Sequence, residues 1–489
     1  MAHNENGGKK QEGVSKAPNL NPLRGERRPG ETTAISKSRI NELLPNELLA
    51  YIFATAIISL LSKERRSFLA LVCSICRRWR DVAIEASDLW TTIYMHHQND
   101  IPAAELFLKR SKTQLLDVDV QVDDDFRLGS PRYGLRVAEL TSIHLERTRT
   151  LSLSVSHSHY AEKFSALYRP MSTPHLVNLS VDVPQSAVFL FDSICSSGSN
   201  GSDGLHSNRN SISSLTRLEL TSAHLEHEEL RNIFTYFPSL ETLILPKFGQ
   251  SWKLEDQEDR PIMLAPSSLR SLAVNLDYDH VESLYPEQYP PYCSCVLGSL
   301  RFPNLEYLEV LGEYPFCNLN LGSHFKDLPK LKTLRLQRCS VPPLDGDFFR
   351  SLKLLNHLEL VDNLNHVKWF TESSPTEVTL PFPHLSSMSL SDKSSGSHDM
   401  SPWARLAQLA VQNSGCTQFS VKVTAQHHRS MMCALDPQDE RIRVKVEDDP
   451  PGLLRLLPLE DFADWSDDDD DYYYYDERRP DLDHYDSSD

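Results

Sequence analysis

Apolar residues first recur at helical spacing between Leu48 and Leu60. Leu48, Leu49, Ile52, Phe53, Ala56, Ile57 and Leu60 form one broad apolar face, which predicts an amphipathic helix. Pro45 suits the first turn of that helix, where a missing N–H costs nothing, and Glu47 suits its positive end. A break is expected at "SKERRS". A second helix is predicted from Phe68 to about Glu85, and "TTIYM" after Asp88–Trp90 reads as a short strand.

Beyond residue 110 the period changes. The form Leu-x-x-Leu-x-Leu recurs from Leu176, Leu215, Leu240, Leu269, Leu305, Leu331, Leu355 and Leu385, with a degenerate copy from Thr148. The starts lie 24 to 39 residues apart. Leucine-rich repeats have periods of about 20–29 residues, so the longer intervals require insertions. Each copy predicts a short strand with its leucines turned inward, and only stacked neighbours can bury those leucines. Cys339 and Asn363 stand at the ninth position of two copies, where a polar atom can satisfy backbone groups inside the next bend. Pro174, Pro238, Pro303, Pro329 and Pro383 each lie two residues before a first leucine and preset the approach to the strand. The polar stretches 195–214 and 391–401 read as insertions in surface loops. Past Met400 the repeat fades, with "DERIRVKVEDD" as one possible last strand.

Charge adds the two ends. The formal net charge is −18, of which residues 436–489 carry −14, while residues 1–40 carry +4. The body is near −8 without a basic cluster, so nucleic acid is not an expected partner. Both ends are too polar to fold and are expected to be disordered. "DDDDDYYYY" is open to two readings, a solvating tail or a docking segment for a basic partner.

Candidate chemistry is sparse. Cys73 and Cys76 form a Cys-x-x-Cys without a second pair to complete a zinc site. Set in a predicted helix, they read as small apolar core residues. Cys293 and Cys295 read the same way. "HLEHEEL" lacks the spacing of a zincin, and no phosphate loop or nucleophile elbow occurs. No enzyme activity, cofactor or metal is expected. The longest apolar run, Leu48 to Leu61, has fourteen residues, where a membrane span needs about twenty. The first residues contain no apolar core like that of a secretory signal. Nine cysteines in 489 residues do not make a disulfide scaffold, so a cytoplasmic or nuclear setting is expected.

Trp79 and Trp90 can be ordinary core residues, yet their setting is specific. "LPNELLAYIF" followed by "LVCSICRRWRDVAIEASDLW" resembles the F-box, in its F-box-like form, through Leu44, Pro45, Glu47, Leu48, Leu49, Ile52, Phe53, Cys76, Trp79, Arg80, Leu89 and Trp90. The linking stretch "ATAIISLLSKERRS" is more apolar than that pattern. The resemblance implies a helical module that packs on the Skp-type adaptor of a cullin–RING ubiquitin ligase, with the following domain capturing a substrate. The expected fold class is α/β. A disordered segment (1–39) precedes an F-box-like module (40–95), an irregular leucine-rich-repeat solenoid (96–435) and an acidic tail (436–489). The implied partner-binding residues are Leu44, Pro45, Leu48, Leu49, Ile52, Phe53, Cys76 and Trp79. The expected function is that of a substrate receptor in an SCF-type ligase, with the Skp-type adaptor, the cullin scaffold and a protein substrate as partners. The alternative is a repeat scaffold whose F-box-like segment caps the solenoid without ligase association.

Overall fold

The computed structural model describes residues 43–60, 62–122, 131–168, 173–183, 214–221, 225, 227–248, 262–276, 296–312, 321–325, 327–339, 346–362, 382, 384–391, 399–414, 417–435, 439–447 and 452–456. The basic N-terminal segment, most of the two polar insertions, Cys293, Cys295, Asn363 and the "DDDDDYYYY" tail lie outside these residues.

Three helices come first among the described residues: α1 (Asn46–Ile58), α2 (Ser62–Ile75) and α3 (Arg77–Glu85). Their limits differ from the sequence expectation in three ways. Pro45 precedes the first turn of α1, in an extended conformation with φ −55° and ψ 152°, and its carbonyl accepts the Leu49 N–H at 3.1 Å. "SKERRS" begins α2 instead of separating two helices. Its arginines reach back to the fold: Arg65 donates to Leu60 O and Thr92 Oγ1, and Arg66 pairs with Asp100 at 2.7 Å. The single helix expected from Phe68 to Glu85 is broken at Cys76, which is extended with φ −157°.

The rest is built on parallel strands. Among the described residues, thirteen strands form one sheet in the order of the sequence, from Thr92–Met95 at one edge to Ile442–Val446 at the other. Neighbouring strands are parallel, so each connection must cross from the end of one to the start of the next. Each Leu-x-x-Leu-x-Leu segment, the degenerate copy included, supplies one strand. Two strands that the sequence did not announce, Leu116–Val122 and Phe419–Val423, extend the series. The sheet therefore passes the expected boundary at residue 435, and its first strand lies within the 40–95 segment. Part of the expected acidic tail, residues 442–446, is thus an ordered strand.

Register explains why the pattern folds this way. Leu243, Leu272, Leu308, Leu334, Leu358 and Met388 stand side by side across adjacent strands, all buried. They share one continuous core with helix residues such as Phe164, Ile233 and Trp403. Before four strands a proline sits second in a tight turn. Leu176, Leu240, Leu305 and Leu331 donate to the carbonyls of Thr173, Phe237, Phe302 and Leu328 at 3.1–3.4 Å. Proline's fixed φ suits that turn position. Cys339 is buried, and its thiol donates to Val310 O at 3.3 Å and Gln337 O at 3.2 Å. Burial pushes its pKa up to about 12.

Candidate functional site

The first helix presents two faces. Leu49, Phe53 and Ile57 point inward and join Leu69, Val72, Val82 and Trp90 in a core separate from that of the sheet. Leu48 and Ile52 are each 48 % exposed, and Tyr51 between them is 69 % exposed. Leu48, Tyr51 and Ile52 fall at i, i+3 and i+4, so one stripe of the helix is apolar and faces solvent. The expected set of partner-binding residues therefore divides. Leu48, Ile52 and the exposed Pro45 are available to a partner. Leu49 and Phe53 are structural, and Leu44 and Trp79 are half-buried against the same core. Tyr51 was not among the expected site residues, although its i+3 spacing from Leu48 marks it.

Cys76 is half-buried and lies outside the module core. Its sulfur accepts the Trp79 N–H at 3.4 Å and so caps α3. The break it creates lets Trp79 lean on Phe53, with ring centroids 5.1 Å apart. Cys73 lies against the module core, where burial raises its pKa against the opposing pull of Arg110 and Arg80. Among the described residues no group of three His, Cys, Asp or Glu side chains is placed to hold a metal. Arg78 does work that the sequence did not signal. It donates to the Leu44 carbonyl and, at 2.9 and 3.1 Å, to Asn46 Oδ1, which ties α3 to the start of α1.

The module is joined to the sheet through Trp90. Its indole N–H donates to Ala83 O at 2.6 Å, Phe107 meets its ring edge-on at 4.9 Å, and the Arg110 guanidinium lies 4.3 Å from the ring centroid. Phe107 packs against both cores.

The sheet face opposite the leucine core carries charged and polar side chains as well as the apolar Ile244 and Ala273. The residues between the fourth and sixth positions form a row across the strands: Glu219, Ile244, Ala273, Glu309, Arg335, Glu359 and Ser389. Glu309 and Arg335 are wholly buried and 3.3 Å apart, and Arg335 Nη1 lies 2.7 Å from Glu359 Oε2. Burial works against the Glu359 carboxylate, but hydrogen bonds from His357 and Arg335 outweigh it and hold its pKa below the usual range. At Glu219 the balance is reversed. Burial, aided by the Asp182 charge, raises its pKa, because Arg217 approaches only to 3.8 Å.

Comparison with known proteins bears on the module alone. No curated protein matches the chain. Residues 42–96 match the family described as F-box-like, so the three helices and the turn at Trp90 constitute an F-box-like domain.

Proposed function

We propose that the chain is a substrate receptor of an SCF-type cullin–RING ubiquitin ligase. F-box domains generally bind Skp-type adaptors. The observation that carries the reading is the solvent-facing stripe of Leu48, Tyr51 and Ile52 within the F-box-like domain, beside a helix face already filled by Leu49 and Phe53. Apolar side chains of this kind, once buried in an interface, are where binding energy concentrates, often about 2 kcal/mol or more each. On this reading the parallel sheet is an irregular leucine-rich-repeat solenoid. Its one-strand-per-motif register supports that view, and its polar face holds a protein substrate. The chain performs no chemistry itself. It raises the concentration of substrate near a ubiquitin-loaded enzyme, in the cytoplasm or nucleus. No described helix is long and apolar enough to cross a membrane.

One observation favours a second reading. Trp90 and Phe107 join the module to the sheet, as a cap on the first strand of a scaffold would. Affinity purification of the tagged full-length chain with mass spectrometry separates the two. Adaptor and cullin peptides in proportion to the bait are expected for a ligase receptor, and their absence supports the scaffold.

A further inference from the structure

Glu309 and Arg335, in the charged row, are covered by a later segment of the same chain. Glu309, Arg335 and Glu359 sit on adjacent strands in register, and Glu309 and Arg335 have no solvent exposure. The cover is Gly452–Leu453. The Leu453 N–H donates to Glu309 Oε2 at 2.6 Å, while Tyr307 OH donates to the same oxygen at 2.9 Å. A side chain at position 452 would have to push aside the buried Glu309–Arg335 pair. A Cβ there would lie 2.7 Å from Arg335 Nε and would overlap the Glu309 carboxylate. The short turn Leu453–Leu456 then packs on the strands Thr242–Phe248 and Ser271–Leu276. Those strands carry Ile244 and Ala273, the buried apolar members of the same row.

This path is not that of another repeat. The chain leaves the sheet at Ile442–Val446, on the outer edge, yet Leu453 lies over the strand Tyr307–Gly312, five strands inward. A cover serving packing alone would need only apolar residues beneath it. A buried ion row adds little stability over a well-packed apolar one. What it adds is selection: a carboxylate that accepts a backbone N–H favours an approaching main chain, and the crowding against the Glu309–Arg335 pair at position 452 favours glycine.

We propose that the polar face over Ile244, Ala273, Glu309 and Arg335 is a peptide-binding site for segments in which glycine precedes two leucines, and that Gly452–Leu454 occupies it as an intramolecular ligand. The inference rests on the reading of the sheet as the substrate-holding half and specifies what that half recognises. Because a tethered ligand acts at an effective concentration in the millimolar range for a short link, an outside peptide of similar intrinsic affinity gains the site only after the tether is displaced.

The test uses the full-length chain, its Gly452→Val variant and a fluorescein-labelled peptide spanning Asp449–Pro458. The variant is expected to bind the peptide at least tenfold more tightly than wild type by anisotropy, with a melting temperature lowered by no more than the few degrees that loss of a bound intramolecular ligand entails. The same peptide carrying valine in place of glycine should bind neither chain. Equal binding to a folded variant and wild type overturns the proposal, as does equal binding of the two peptides. Should the variant not fold, hydrogen exchange on wild type decides. Protection of the Leu453 amide, lost on adding millimolar peptide, supports the site, and an amide unprotected from the start or unaffected by the peptide overturns it. Adaptor capture from the same preparations reports on the ligase reading alone. Its loss beside a positive peptide result counts against the ligase and not against the site.

Discussion

Phe53 and Trp79 meet with their ring planes inclined by 54°, a contact that fixes which side of α1 is structural. Leu48 and Ile52 lie on the other side. Changing both to Asp is expected to abolish adaptor co-purification while leaving the melting temperature within a degree or two of wild type. The Pro45→Ala, Leu48→Ala double variant should lose the adaptor in the same way. Phe53→Ala should instead destabilise the module by about 3–5 kcal/mol. Undiminished adaptor capture by the Asp variant would remove this helix face from consideration as the interface.

The leucine column makes a different demand. Leu334 and Leu358 are fully buried neighbours in register, so each truncation to Ala leaves a cavity that the stacked strands cannot close. Each is expected to cost about 2–5 kcal/mol in denaturant unfolding. Because the two cavities adjoin, the double variant should depart from additivity. Wild-type unfolding of both single variants would show that the column is not the core.

Two glutamates in one row should respond oppositely to pH. The folded-state pKa of Glu359 is lowered, so its stabilisation is present above the ordinary carboxylate value of about 4.3 and is lost as pH falls through the folded value. Glu359→Gln should lower the melting temperature at pH 7 and converge on wild type in acid. The folded-state pKa of Glu219 is raised, so what it contributes is present below about 4.3 and is lost as pH rises through the folded value. Glu219→Gln should raise the melting temperature at pH 7, with the gain shrinking toward pH 4. Melting curves of both variants from pH 2 to 8 check the two signs together, the Glu359 convergence falling in the acid part of that range and the Glu219 change above it.

Cys339 should be chemically silent. It is buried, its thiol is engaged with two carbonyls, and its pKa is pushed up to about 12. Iodoacetamide on the native chain should label the exposed Cys433 and leave Cys339 unmodified until denaturant is added. Rapid native labelling at Cys339 would mean that this bend opens.

Much of this was legible because period dictates face. Alternating leucines can bury only one side of a strand, and every segment carrying the motif became one. Leu116–Val122 and Phe419–Val423 escaped notice because they hold valine and phenylalanine where the motif has leucine, although the same alternation is present in "LDVDVQV" and "FSVKV". The helix break at Cys76 left no mark in the apolar pattern, since a thiol that caps a helix and one that fills a core read alike. The helical spacing on α1 predicts one broad apolar face, and only packing separates Leu49 and Phe53, which are consumed within the module, from Leu48 and Ile52, which face solvent. Nor could the burial of Glu309 and Arg335 have been expected, because residues far away along the chain supply their cover.

Trp90 has a further consequence. A residue bound at once to Ala83, Phe107 and Arg110 ties the helices to the helix that follows the first strand. Whatever the helices hold and whatever the sheet holds are therefore kept at one separation and one angle, like the two arms of a bracket. If ubiquitin is delivered from the helical arm, the lysines it can reach on a bound substrate are set by that span and not by their chemistry.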